Sequence, residues 1–121
     1  MNDAIPDING YKNRLMVIQK VAEQLEKDLQ LNQSIPLSGD PDKAYPELEQ
    51  QVQPLVKNWL QQDYSWLMHT LYRIDVSEKK LARARIEFSD MPEHELITHL
   101  ILERELQKVV LRMWYSKTLD S

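Results

Sequence analysis

The chain of 121 residues contains no cysteine, which excludes disulfide bonds, thiolate nucleophiles and cysteine-ligated zinc or iron–sulfur sites. It has only two glycines, Gly10 and Gly39, and so offers little material for the positive-φ turns that join short strands. No window reaches the roughly 20 uncharged apolar residues of a membrane span, and the acidic N-terminus lacks a basic and apolar signal segment. These absences favour a helical protein without disulfides, and we expect it in the cytoplasm.

Composition and length indicate one ordinary globular domain. Hydrophobic residues make up 42% of the chain and charged residues 28%, which is typical of a folded domain rather than a disordered segment. We expect a single helical domain over residues 1–121, with a flexible N-terminus at 1–8 and a long inter-helix loop at 32–44. The net charge of −4 argues against a nucleic-acid-binding surface that extends over the whole protein.

Hydrophobic periodicity predicts four helices. Apolar residues recur every three or four positions at Tyr11, Leu15, Ile18, Ala22, Leu25 and Leu29, which predicts a first helix over about 9–31. A second helix is expected over 45–74, bent at Pro54, and a short third one over 78–87 with Ser77 as its cap. The fourth is expected over 91–117, after a start signal at Asp90. The predicted fold is all-α, an antiparallel bundle of three long helices and one short one.

Asp63 is the least expected residue in this pattern. A helical wheel places it at the centre of the apolar face of the second helix, between Trp59 and Trp66. A buried carboxyl group needs a partner or a raised pKa. The functional interpretation is a small-molecule or catalytic pocket with an acid at its floor. The structural alternative is a hydrogen bond from Asp63 to a side chain of another helix.

Glu95, His99 and Glu103 recur every four residues on the fourth helix and are expected to face its apolar arc. His99 and Glu103 are therefore candidates for the same ligand pocket as Asp63. Di-metal bundles use Glu-x-x-His from two helices, whereas this chain has one Glu-x-x-x-His. A polar seam that fixes helix register is the alternative, and the sequence predicts no metal and no cofactor.

A basic segment lies around the start of the third helix, where residues 73–86 carry five bases against two acids. Lys79, Lys80 and Arg83 share a helix face and are candidates for binding an anion or nucleic acid. No aromatic residue interleaves with them for base stacking, so nucleic acid is disfavoured. The alternative is a solvated face that pairs with acidic helices.

The apolar residues of the fourth helix cover more than half of its circumference. The residues that mark a predicted solvent face are Glu105, Lys108, Arg112, His94 and Thr98. Such a helix is either central in its bundle or shared with a second subunit. No phosphate loop, nucleophile elbow or other catalytic motif is present, so no catalytic residue is predicted. The leading hypothesis is a non-enzymatic protein-interaction module, a homo-oligomer or a binder of a protein partner, through the fourth helix and the tryptophan-bearing second helix. No membrane association is expected.

Overall fold

A computed structural model describes the backbone of residues 7–120 and the side chains of residues 7–116. After a 3-10 turn at Ile8–Tyr11, this part of the chain forms five α-helices and no strand. The helices are α1 Leu15–Asp28, α2 Ala44–Gln62, α3 Tyr64–Arg73, α4 Glu78–Glu87 and α5 Glu93–Asp120. The all-α prediction is confirmed. Residues 1–6 of the segment predicted to be flexible lie outside the described residues.

The first predicted helix divides into the 3-10 turn and α1. Asp7 caps the turn by accepting a hydrogen bond from the amide of Asn9 at 3.0 Å, and the extended backbone of Arg14 separates the turn from α1. After α1, Gln30 adopts a left-handed conformation with φ of 55°. The apolar face predicted from spacing is buried, with Ile18 and Leu25 both at 0% exposure.

The prediction of one continuous helix over 45–74 is wrong, because the chain breaks at Asp63. Its backbone has φ of −152° and ψ of 64°, which ends α2 and begins α3. The helix continues through Pro54, whose side chain is exposed. A short oxygen-bearing side chain competes with helical hydrogen bonding, and Asp63 therefore acts as a cap instead of an interior residue.

The predicted short helix is confirmed as α4, with bounds that match the prediction. Ser77 accepts a hydrogen bond from the amide of Lys80 through its hydroxyl oxygen at 3.1 Å, as expected of an N-cap. Val76 and Leu81, on either side of this cap, are both buried. The long loop before α2 is held in place, because the Ile35 amide donates to Glu26 of α1 at 2.8 Å.

Helix α5 occupies the centre of the fold and packs against α1, α2 and α4. This position explains its wide apolar arc, since these neighbours bury the side chains Leu96, Ile97, Leu100, Ile101, Leu102, Leu106, Val109 and Val110. None of the described helices is long and apolar enough to cross a membrane.

The solvent face predicted for α5 is wrong at two positions. Glu105 is 0% exposed and Thr98 is 1% exposed. Thr98 satisfies its own hydroxyl by donating to the carbonyl oxygen of His94 at 2.7 Å. Glu105 is covered by α1, which runs antiparallel to α5, since Lys108 contacts Asp28 and Arg112 contacts Gln24. At Glu105 the polar face of α5 therefore contacts another helix instead of water, whereas Arg112 on the same face is exposed.

Candidate functional site

Asp63 does not form the floor of a pocket. Its side chain is exposed, and its Oδ1 atom accepts a hydrogen bond from the amide of Trp66 at 3.2 Å. The prediction that Asp63 is buried in an apolar face is wrong. The carboxylate instead caps α3, where a negative charge suits the positive end of the helix dipole.

Trp59 and Trp66 do come together, on either side of this break. Their ring centroids are 4.7 Å apart with the planes tilted by 53°, so the rings contact each other directly. Both side chains are half-buried. The arrangement ties the last turn of α2 to the first turn of α3.

His99 and Glu103 face α4 instead of Asp63. Nε2 of His99 lies 3.3 Å from Oε2 of Glu103, and the imidazole meets the Phe88 ring edge-on at a centroid distance of 5.8 Å. The structure thus brings them beside the predicted anion-binding residues, since they share a cleft of about 200 Å³ with Lys80 and Arg83.

This α4–α5 cleft carries both signs of charge. Glu87 and Glu103 line it together with Lys80 and Arg83. Lys79 does not line this cleft and instead lines a separate groove between α3 and α4. A cleft with balanced charge does not concentrate anions. Within the described residues, no group of three His, Cys, Asp or Glu side chains is placed to hold a metal ion.

Two of the three exposed tyrosine side chains of residues 7–116 lie on α3, and the third, Tyr115, lies on α5. Tyr64 and Tyr72 are 51% and 78% exposed, and the half-buried Met68 lies midway between them. Their spacing of four residues places all three along one edge of the helix. We call Tyr64, Met68 and Tyr72 the α3 stripe.

A groove of about 480 Å³ runs beside the α3 stripe where α3 meets α4. Its lining is mainly apolar, from Met68, Leu71, Tyr72, Val76 and Leu81, and Glu78 and Lys79 also line it. Sequence reasoning missed this surface because a continuous helix over 45–74 gave no reason to treat α3 separately. The spacing of Tyr64, Met68 and Tyr72 was the available signal.

A second feature that sequence reasoning missed is a partly buried charge cluster, formed by Asp28 of α1 with Glu105 and Lys108 of α5. Nζ of Lys108 lies 2.8 Å from Oδ2 of Asp28 and 3.1 Å from Oε2 of Glu105. The contact with Asp28 has hydrogen-bond geometry, whereas neither carboxylate oxygen of Glu105 has a partner with that geometry. The cluster joins residues 80 positions apart in the chain.

Burial raises the pKa of Glu105 to about 8, and the neighbouring Asp28 carboxylate adds to the shift. Burial also acts to raise the pKa of Asp28, but the neighbouring side chains of Glu105, Lys108 and Gln24 outweigh it and lower that pKa. At neutral pH the cluster therefore holds a protonated Glu105, an ionised Asp28 and a charged Lys108. One positive and one negative charge cancel, which keeps the cost of burying the cluster low.

Gln24 connects this cluster to the surface. Its Nε2 donates to Oδ2 of Asp28 at 3.0 Å, while its Oε1 accepts from Nη1 of Arg112 at 3.1 Å. Above it, α1 and α5 enclose a groove of about 460 Å³, the α1–α5 groove, lined by Gln24 and Arg112 among others. The volume is that of a typical small-ligand site.

Comparison of the chain with protein-family models, with curated proteins and with solved structures finds no match.

Proposed function

We propose that this protein is a protein-interaction module that associates with a second copy of itself through the α3 stripe. The observation that carries the proposal is the exposure of Tyr72, at 78%, beside an apolar groove. Tyrosine and methionine are enriched at protein interfaces, because a tyrosine ring buries a large apolar area while its hydroxyl keeps a polar contact.

The α3 stripe is self-complementary. If two copies of α3 cross antiparallel about a two-fold axis at Met68, Tyr64 of each copy faces Tyr72 of the other. Such a contact uses the same surface on both subunits, as a two-fold dimer requires. The α3–α4 groove then lies where a tyrosine ring of the second copy can enter it.

This proposal moves the predicted interface away from the fourth predicted helix. The apolar arc of α5 is buried by α1, α2 and α4, so its width no longer argues for a second subunit. The tryptophan-bearing second predicted helix keeps a place in the proposal, since α3 is its second half.

The test is sedimentation velocity from about 1 µM to 1 mM, since a surface this small is expected to give a dissociation constant on the order of 100 µM. We expect the wild type to dimerise with concentration and Tyr64→Ser/Tyr72→Ser to stay monomeric. Tyr115→Ser is the matched control, because Tyr115 is 52% exposed, as Tyr64 is, but lies on α5. A wild type that stays monomeric at 1 mM, or equal weakening by the control, would contradict the proposal.

The two alternative functions have less support. A pocket centred on Asp63 lacks its main premise, because Asp63 is exposed. Anion or nucleic-acid binding by Lys79, Lys80 and Arg83 is weakened by the acids that share the cleft of Lys80 and Arg83.

A further inference from the structure

The α1–α5 groove is built from matching faces of two antiparallel helices. Lys20 and Lys27 stand seven residues apart on the α1 side, and Val109 and Met113 lie four apart on the α5 side. Residues with these spacings share one helix face. The groove therefore lies between one face of α1 and one face of α5, separate from the α3 stripe.

The side chains that line the groove carry a net positive charge, whereas the whole chain has a net negative charge. Three basic side chains, Lys20, Lys27 and Arg112, line the groove against a single acid, Glu23, in a chain whose net charge is −4. Within residues 7–116 neither lysine forms an ion pair. A concave surface on which positive charge predominates, here three bases against one acid, attracts anions.

Arg112 is held in position for such an ion. Its Nη1 atom donates to Gln24, and Gln24 is fixed in turn by its hydrogen bond to Asp28. The guanidinium group carries five N–H donors, so this single bond leaves the others for a ligand. A planar guanidinium suits the paired oxygens of carboxylates and phosphates.

One part of the groove wall, on α5, is apolar, and Met113 supplies most of its accessible surface because Val109 is 3% exposed. Val109 is buried and Met113 is half-buried, and both line the groove beside the basic side chains. A bare inorganic anion would leave this wall in contact with water. An anion attached to an apolar body would cover it and gain the free energy of burying apolar surface.

We propose that the α1–α5 groove binds a small organic anion, with its carboxylate or phosphate held by Lys20, Lys27 and Arg112 and its apolar body packed on Val109 and Met113. The site does not depend on self-association, because its residues lie on α1 and α5.

The test is an NMR titration of protein carrying ¹³C-labelled methionine methyl groups, with phenyl phosphate and phenylacetate as probes. We expect saturable shifts at Met113, with affinity for phenyl phosphate at least about tenfold higher than for benzyl alcohol or inorganic phosphate. Equal affinity for benzyl alcohol would overturn the role of the basic side chains. Equal affinity for inorganic phosphate would overturn the role of the apolar wall.

The variant Lys20→Gln/Lys27→Gln is expected to weaken phenyl phosphate binding about tenfold or more. Both lysines are exposed, so their substitution leaves the core intact. Lys57→Gln/Lys79→Gln removes the same charge from exposed positions on other helices and is expected to change binding less than about twofold. Equal weakening by both variants would show nonspecific charge attraction and overturn the proposal.

A further arm distinguishes two sources of the anion. Cosedimentation with phosphatidic acid vesicles, lost in Lys20→Gln/Lys27→Gln, would show that a lipid headgroup supplies it. Phenyl phosphate binding without cosedimentation would show that a free molecule does. Cosedimentation that the variant retains, with no phenyl phosphate binding, would contradict the groove as the site.

Discussion

Replacement of Glu105 by glutamine is expected to stabilise the protein at neutral pH. Glu105 is 0% exposed, and its pKa rises from 4.5 to about 8 on folding. Each unit of pKa difference corresponds to about 1.36 kcal/mol. At pH 7 the unfolded chain ionises this group while the folded protein keeps it protonated, which costs the fold about 3 kcal/mol.

The direction of the pH dependence follows from how many protons the folded and unfolded states bind. An acid whose pKa is higher in the folded state favours folding below its unfolded pKa, and this contribution is lost as pH rises towards 8. The glutamine side chain would keep the shape of Glu105 and a donor for Asp28 without ionising. The stabilisation by Glu105→Gln should therefore be under about 1 kcal/mol at pH 5 and approach about 3 kcal/mol at pH 7.

Urea unfolding followed by circular dichroism at pH 5, 6 and 7 measures this difference, at one low protein concentration so that association does not contribute. Glu103→Gln is the control on the same helix, because Glu103 is 34% exposed and paired with His99. We expect it to change the free energy of unfolding by less than about 1 kcal/mol at each pH. A Glu105→Gln protein less stable than the wild type at pH 7, or an effect that does not change with pH, would refute the reasoning.

Three further substitutions test the helix contacts and ends by urea unfolding at pH 7. Lys108→Met should destabilise the protein by about 2 kcal/mol, since the partly buried Asp28 would lose its charged hydrogen-bond donor; a loss under about 0.5 kcal/mol would contradict a stabilising pair. Asp63→Ala should cost about 1 kcal/mol through loss of the cap on the Trp66 amide, and Asp63→Asn much less, so equal effects would argue against capping. Gln30→Gly should stabilise by up to about 1 kcal/mol, because φ of 55° suits glycine, and destabilisation would show that the side chain matters more.

The sequence predicts the structure correctly where the signals that determine it lie close together in the chain. The stripe of α1, the Ser77 cap and the bounds of α4 depend on residues within one or two turns, and all three were predicted correctly. The central position of α5 was one of the two alternatives that the width of its apolar arc indicated, and the structure selects it. Periodicity carries such information because it reports which side of a helix avoids water.

The sequence does not predict the structure where two local preferences of one residue conflict, or where the residue that contacts a side chain is distant in the chain. Asp63 lies in phase with an apolar face, yet its tendency to cap a helix prevailed and separated α2 from α3. Glu105 lies in phase with Lys108 and Arg112 and so resembled a solvent face. Only the position of Asp28, on a helix far away in the sequence, shows that α1 covers this face at Glu105.

The most direct test of the proposed function is an intermolecular nuclear Overhauser effect between two copies. A mixture of ¹³C-methyl-methionine protein and unlabelled protein, near 1 mM, reports which protons of one copy approach Met68 of the other. The α3 stripe predicts cross-peaks from the Met68 methyl group to the Tyr64 and Tyr72 rings of the second copy. Intermolecular cross-peaks to α5 alone, or none at this concentration, would contradict association through the α3 stripe.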